Sequence, residues 1–263
     1  MAGVLHLDDL GPGAKQIRID NPGKYNAMSL SMWRELGETV RALGQDAQMR
    51  VLVLRGDGEK AFMSGADISE FDTTRTAQTG SEQYDQAVEE AQKALQQAPF
   101  PVMAAIRGVC MGGGLGLAVA CDLRYCTKAS SFRMPAARLG LGYSYVGIRQ
   151  MVDAIGAART SELFFTARRF DGAEAERIGL VHACFDDEGF EDAVQTVVGQ
   201  VSENAPLTVR LAKAAISLAT SDVGAGGHAV GIERARQRCT RSEDYAEGRR
   251  AFAEKRAPVF KGF

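Results

Sequence analysis

Three consecutive glycines stand between an apolar strand-like run and an apolar helix-like run, and this arrangement suits the binding of a developing negative charge. The triplet is Gly112–Gly114, the preceding run is Val102–Ile106, and the helical run ends at Cys121. Backbone N–H groups at the start of a helix lack partners within the helix, and the helix dipole favours negative charge there. The triplet could therefore form half of an oxyanion hole. Close packing of the strand against the helix is the alternative interpretation, since glycine tolerates close approach.

Motifs typical of three other enzyme classes do not fit this sequence. A dinucleotide-binding G-x-G-x-x-G that started at Gly112 would end at Leu117. Gly23-Lys24 is followed by tyrosine where a P-loop needs serine or threonine. The segment 142–146 begins like the nucleophile elbow of a serine hydrolase but ends on valine. The five cysteines and three histidines are scattered without the spacing of a metal site or a catalytic triad. We therefore expect free thiols and no metal ion.

Composition excludes several broad classes of partner. The chain has 263 residues, of which 45% are hydrophobic and 24% charged, and its net charge is −2. Such a chain can bury a large core, and it lacks the basic surface of a general nucleic-acid binder. The longest uncharged stretch near the middle, 108–121, is shorter than the ~20 residues of a membrane helix. Because the N-terminus does not resemble a signal peptide, we expect no membrane association and a cytoplasmic location.

Hydrophobic patterning predicts an α/β architecture that positions the glycines. Strand-like runs alternate with helical runs until residue 205, and only helical patterning follows Pro206. We therefore predict a core at 1–205 and a helical module at 206–263. The predicted strands are a hairpin at 4–10 and 15–20 and further strands at 51–54, 102–106, 123–126 and 180–182. The predicted helices lie at 30–43 and 82–97. A loop is predicted at 72–82 and an irregular segment at 130–147.

Four ordered sequence blocks resemble the enoyl-CoA hydratase/isomerase (crotonase) family. They are Asn26-Ala-Met28, Lys60-Ala-Phe-Met-Ser-Gly-Ala-Asp-Ile68, Pro101-Val-Met-Ala-Ala-Ile-Arg-Gly108, and Gly112-Gly-Gly-Leu-Gly-Leu-Ala118 with Cys121-Asp122. The similarity continues to a C-terminal block at 242–256, so it covers nearly the whole chain.

The resemblance implies a crotonase-like spiral of ββα units with a C-terminal all-helical oligomerisation module, assembled as a homotrimer or hexamer. It implies an acyl-CoA substrate, with coenzyme A arriving as part of that substrate and no other cofactor. In this family two backbone N–H groups hold the thioester oxygen as an enolate forms, and by position these belong to Ala66 and Gly113. The residues implied to contact coenzyme A are Lys24, Ala27, Ala66, Asp67, Ile68, Ser69 and Gly113. Preorganised donors at a developing charge lower a barrier by several kcal/mol.

The sequence departs from the family at both positions where hydratases carry a glutamate. The first lies two residues after the glycine triplet and is Gly116, and the second follows Pro135 and is Ala136. Neither residue can move a proton, and each missing carboxylate removes ~10²–10⁴-fold of acid–base catalysis. We therefore expect a weak hydratase at most.

A local resemblance indicates other reactions of the same enolate. The segment 139–147 resembles the methylmalonyl-CoA decarboxylase branch, which has a tyrosine where this chain has Tyr143 but a histidine where it has Ala66. Loss of CO₂ produces an enolate without a base, so an oxyanion hole and a tyrosine donor could suffice. A decarboxylase or hydrolase that uses Tyr143 is one alternative, and a CoA-thioester binding protein with little catalysis is another. Tyr143 could also serve only in packing.

Overall fold

The two β-sheets of this computed structural model, which describes residues 3–67, 78–220 and 228–263, are built mainly from parallel strands. The strands are β1 Val4–Gly11, β2 Ala14–Asp20, β3 Val51–Gly56, β4 Ala61–Met63, β5 Val102–Ile106, β6 Val109–Met111, β7 Leu123–Thr127, β8 Ser131–Arg133, β9 Arg169–Asp171 and β10 Ala183–Phe185. The larger sheet has the order β1-β2-β3-β5-β7-β10 and the smaller β4-β6-β8-β9. Only the pairs β1–β2 and β8–β9 are antiparallel.

Helices cover the sheets and form the C-terminal part of the chain. They are α1 Leu30–Leu43, α2 Gln78–Gln97, α3 Gly113–Val119, α4 Ala136–Leu139, α5 Tyr145–Thr166, α6 Gly172–Arg177, α7 Phe190–Ser202, α8 Pro206–Thr220, α9 His228–Thr240 and α10 Glu243–Glu254. Within the described ranges, no helix has the length and apolar character needed to cross a membrane. The predicted α/β fold class is confirmed.

The central strands are buried on both faces, as their continuous apolar runs predict. Every residue of β5 is buried, and so are the first four of β3. Strands covered on both faces need apolar side chains at every position rather than at alternate ones. The hairpin β1–β2 and the helix α1 also follow the prediction, and Ser29 caps α1 by accepting from the Met32 N–H at 3.2 Å.

Three local predictions are corrected. The helix predicted from residue 82 begins at Gln78, so the predicted loop at 72–82 ends earlier, and its residues 72–77 lie outside the described part. The strand predicted at 180–182 lies at Ala183–Phe185, because the Leu180 N–H closes the preceding turn by donating to the Ala175 carbonyl at 2.9 Å. The segment 130–147, predicted to be irregular, contains β8 and α4, which are each too short to show periodicity.

A buried lysine attaches the C-terminal helices to the rest of the chain. Lys213 of α8 donates from Nζ to the Leu95 carbonyl at 3.0 Å, the Phe100 carbonyl at 2.9 Å and Asp122 Oδ2 at 2.7 Å. Asp122 also accepts from the Val102 N–H at 2.7 Å. Helix α8 begins at Pro206. The division into a core and a helical module stays a prediction.

Replacing Lys213 with methionine should destabilise the protein by about 2 kcal/mol, since the stem keeps its packing while two carbonyls and a carboxylate lose their donor. The Asp122 side chain is 33% exposed, so water compensates part of this loss. Urea unfolding followed by circular dichroism would measure the change. Lys128→Met removes an exposed pair with Asp186 and is the control, which should leave the midpoint unchanged. An equal shift in both variants would contradict the assigned role of Lys213.

The C-terminal block that resembles the family binds the end of the chain. Asp244 accepts from the N–H groups of Lys261 at 2.7 Å and Gly262 at 2.8 Å. Glu247 accepts from Arg256 at 2.6 Å and from the Val259 N–H at 3.1 Å, and these bonds, led by that to Arg256, lower its pKa to about 2. The block therefore has a structural role, which is to fold the tail back along α10.

Candidate active site

The loop that contains Ala66 is held by a short parallel pairing with residue Met28. The Met28 N–H donates to the Gly65 carbonyl at 2.9 Å, and the Asp67 N–H donates to the Met28 carbonyl at 3.0 Å. In a parallel pairing, the residue between these two bonds directs its own N–H to the opposite side. That residue is Ala66, and within the described ranges its N–H has no acceptor.

The second predicted donor, Gly113, is the first residue of α3. Its N–H has no partner within the helix, and the described residues supply no acceptor for it. Gly112 and Gly113 are half-buried, whereas every residue from Gly114 to Val119 is buried. The N–H of Gly113 therefore lies at the boundary between the core and the accessible space.

Each donor follows a glycine whose backbone has a positive φ. Gly65 has φ 120° and Gly112 has φ 52°, which are conformations that residues with a side chain rarely adopt. The two segments are in contact, since a Cβ built on Gly65 would lie 3.7 Å from the nitrogen of Gly113. The structure thus brings the two predicted oxyanion donors together, as their roles require.

A hydrogen-bonded chain supports the Ala66 loop from the core. Trp33 Nε1–H donates to Tyr84 Oη at 2.9 Å, and Tyr84 Oη–H donates to the Met28 carbonyl at 3.0 Å. The same carbonyl accepts from the Asp67 N–H, so Met28 is fixed from both sides. Both aromatic side chains are buried. Such support restricts the movement of the donor beside it.

The residues implied to contact coenzyme A lie around the same loop. Lys24 Nζ is 2.7 Å from Asp67 Oδ2, and Asn21 Nδ2 donates to that oxygen at 3.3 Å. Ala27 is buried, and its carbonyl accepts from Asn21 Nδ2 at 2.7 Å. The remaining two residues, Ile68 and Ser69, lie outside the described residues. The structure places Lys24, Ala27 and Asp67 beside Ala66, and their contacts with coenzyme A stay predictions.

Gly116 and Ala136 lie around the start of α3. Gly116 is three residues after Gly113 and therefore on the same helix face, one turn further along. Ala136 is buried and follows Pro135, whose ring lies 3.7 Å from the position that a Cβ on Gly112 would take. Both positions are thus close to the oxyanion donors, and neither side chain can accept or donate a proton.

The hydroxyl of Tyr143 fills the space left by the missing side chain of Gly116. A Cβ built on Gly116 would lie 2.6 Å from Tyr143 Oη, and one on Gly147 would collide with the tyrosine ring. The ring packs edge-on against Phe164, with 5.2 Å between the ring centroids. Burial is the main cause that raises the pKa of Tyr143 to about 12. Tyr143 therefore presents a protonated hydroxyl one helical turn from the Gly113 N–H.

Two buried glutamines near Tyr143 were not recognised in the sequence. Gln92 of α2 is 4% exposed, and its Nε2 lies 3.1 Å from the position of a Cβ on Gly116. Gln150 of α5 is buried one turn after Gly147, and neither polar atom of its side chain has a hydrogen-bond partner within the described part of the chain. Both could have been found as polar residues within an apolar helical stripe, because buried amides need partners.

Replacing Gln150 with methionine should stabilise the protein by about 1 kcal/mol, because an unpaired buried amide is costly and methionine has a similar volume. Chemical denaturation would measure the difference. Gln86 is exposed and bonded to Glu90, so Gln86→Met serves as the control and should be neutral. A loss of stability in the Gln150 variant would instead show that its amide has a partner in solution.

The chemistry available here is that of neutral hydrogen-bond donors. The described part of the chain contains no cluster of three or more His, Cys, Asp or Glu side chains that could hold a metal ion. Two backbone N–H groups, a phenol and a carboxamide surround the start of α3. Such donors stabilise an oxygen on which negative charge develops during a reaction.

Comparisons with known proteins identify the family of this chain. The family model described as enoyl-CoA hydratase/isomerase matches residues 11–262. The chain is 34% identical to the human enoyl-CoA hydratase domain-containing protein 2, mitochondrial, over 95% of this chain and 86% of that protein. It is 31% identical to the carnitinyl-CoA dehydratase of Citrobacter koseri over 100% of both chains.

The fold is shared with solved structures. The crystal structure of an enoyl-CoA hydratase/carnithine racemase from Magnetospirillum magneticum superimposes with a TM-score of 0.93, at 32% identity, over 100% of this chain and 97% of that chain. The local likeness to the decarboxylase branch stays a prediction. The match of the family model over almost the whole chain, together with these relatives, shows that the protein belongs to the enoyl-CoA hydratase/isomerase family.

Proposed function

We propose that this member of the family binds an acyl-CoA thioester and holds the thioester oxygen between the N–H groups of Ala66 and Gly113 while an enolate forms. Support comes from the two unpaired N–H groups, each after a glycine of positive φ, in segments that touch each other. Lys24, Ala27 and Asp67, with Ile68 and Ser69, contact the coenzyme A part of the substrate. Coenzyme A arrives as part of the substrate, and no other cofactor takes part.

The proposed reaction is the decarboxylation of an acyl-CoA that carries a carboxylate on its α-carbon. The bond between the carboxylate and the α-carbon breaks, its electron pair forms the enolate, and CO₂ leaves. Tyr143 then gives its hydroxyl proton to the α-carbon, and water returns a proton to the phenolate. This makes the enzyme a lyase. The observation that carries the proposal is Tyr143 Oη in the space beside Gly116.

Efficient hydration of an enoyl-CoA is not proposed, because it needs acid–base groups at positions now occupied by Gly116 and Ala136. The second candidate is a CoA-thioester binding protein with little catalysis, which the same two residues favour. Hydrolysis of the thioester is a further outcome that Tyr143 could support. We expect a homotrimer or hexamer, and light scattering would measure the mass of the assembly.

The experiment that separates these candidates is incubation with crotonyl-, methylmalonyl-, malonyl- and β-ketoacyl-CoA, followed by mass spectrometry of every product. Loss of CO₂ is the expected result. A gain of water on crotonyl-CoA at saturating substrate would overturn the proposal in favour of a hydratase with other catalytic groups. Release of free coenzyme A would indicate a hydrolase. Unchanged masses throughout would favour the binding protein.

A further inference from the structure

The carboxamide of Gln92 lies beside the space that Tyr143 and Gly116 share. Its Nε2 lies 3.1 Å from the position of a Cβ on Gly116, and Tyr143 Oη lies 2.6 Å from the same position. Gln92 is 96% buried, since its exposure is 4%. Among the described residues no hydrogen-bond partner of its side chain is found. A polar group of this kind therefore lies within one helical turn of the proposed oxyanion donor Gly113.

The surroundings of Gln92 would suit an apolar residue better. On α2 it lies in line with Val88, Ala91 and Leu95, which all pack in the main core. A polar side chain on such a stripe is explained when a ligand reaches its amide and supplies a hydrogen-bond partner. The amide can donate two hydrogen bonds from Nε2.

The charged groups available to a ligand at this point are few. In the described ranges, each buried charged side chain already has partners within the protein. Asp67 pairs with Lys24, Lys213 pairs with Asp122, and Arg124 donates to the Leu180 and Cys121 carbonyls. Asp244 and Glu247 hold the C-terminal tail. These five charged side chains are thus engaged within the protein, and the two polar groups found beside Gly116, Tyr143 Oη and Gln92 Nε2, are neutral.

We propose that Gln92 donates a hydrogen bond from Nε2 to a carboxylate oxygen on the α-carbon of the acyl group and thereby selects carboxylated acyl-CoA substrates. This inference rests on the proposed function. During loss of CO₂ the negative charge moves from the carboxylate to the thioester oxygen. A cation at the carboxylate would stabilise the starting state, whereas a neutral amide binds it with less opposition to that movement. Gln92 is thus a specificity-determining residue.

The test compares malonyl-CoA with acetyl-CoA, which lacks the carboxylate. Gln92→Met keeps the volume and removes the donor, so the KM of malonyl-CoA should rise roughly 10- to 100-fold while the Kd of acetyl-CoA stays the same. Gln92→Glu keeps the shape and repels the carboxylate, and it should weaken malonyl-CoA binding further. Gln97→Met, on the exposed end of the same helix, is the matched control. Near-ultraviolet circular dichroism confirms folding of each variant.

If the two Gln92 variants bind malonyl-CoA and acetyl-CoA more weakly by the same factor, Gln92 has a structural role. If the KM of malonyl-CoA and the Kd of acetyl-CoA are both unchanged, Gln92 has no role. Either result overturns the inference. If the wild-type protein releases no CO₂ from malonyl-CoA, the proposed reaction is wrong. Kd values of malonyl-CoA and acetyl-CoA, measured by calorimetry, then show whether Gln92 contacts the carboxylate. A preference for malonyl-CoA that Gln92→Glu abolishes would still support the carboxylate contact.

Discussion

Replacing Tyr143 with phenylalanine lowers kcat by ~10²–10⁴-fold, the contribution typical of a positioned proton donor. The ring remains between Gly147 and Phe164, so packing and substrate affinity change little. Only the hydroxyl beside Gly116 is lost. The measurement is the steady-state rate of CO₂ release from the substrate that the mass analysis identifies, with KM determined alongside.

Tyr145→Phe is the matched control, since Tyr145 is 72% exposed and close in sequence. It should retain the wild-type rate. Because burial raises the pKa of Tyr143 to about 12, its hydroxyl stays protonated at neutral pH. An ordinary tyrosine has a pKa of about 10. The rate that depends on Tyr143 should therefore not fall through ionisation of its phenol at any pH below about 10. A full rate in the Tyr143→Phe variant would show that another group donates the proton.

Removing the N–H of Gly113 is the second change with a large expected effect. Gly113→Pro should lower kcat by ~10²–10³-fold, as expected for the loss of one oxyanion-hole donor. Proline is tolerated at the first position of a helix, which is the position that Gly113 occupies. Gly113→Ala keeps the N–H, and its Cβ would meet Met63 Cε at 3.4 Å, a contact that a flexible side chain can accommodate.

The alanine variant should retain the rate within about threefold, since it keeps the donor that the reaction uses. The difference between proline and alanine at one position isolates the N–H from the bulk of the side chain. Thermal unfolding of both variants checks that the helix start is preserved. Equal rates in the two variants would exclude Gly113 as a donor to the thioester oxygen.

The sequence predicts the sheet well where burial acts on every residue of a strand. The first four residues of β3 and all five of β5 are apolar, so the type and position of these strands follow from the continuous apolar runs. The short elements β8, β9 and α4 have three or four residues, which is too few for a helical or strand pattern to repeat. Their formation depends on tertiary contacts, which a sequence pattern does not contain.

In the candidate site, the role of the glycines can be predicted from the sequence, whereas the position of the tyrosine hydroxyl cannot. The triplet Gly112–Gly114 predicts a donor at the start of a helix, whereas the donor Ala66 is implied only by the resemblance to the family. That Tyr143 Oη takes the space of a side chain at Gly116 depends on a loop packing back onto α3, across 27 residues of sequence. Gln92 comes from a third element. The meeting of a phenol and an amide beside Gly116 is therefore visible only in three dimensions.

The infrared frequency of the thioester carbonyl in bound butyryl-CoA, labelled with ¹³C at that carbon, reports directly whether Ala66 and Gly113 form an oxyanion hole. Two N–H donors in a protein site polarise a carbonyl more than water does, because they are already oriented toward its oxygen. We expect a lower carbonyl frequency in the complex than in free butyryl-CoA, and a smaller decrease with Gly113→Pro. An unchanged frequency in the wild-type complex would contradict an oxyanion hole formed by Ala66 and Gly113.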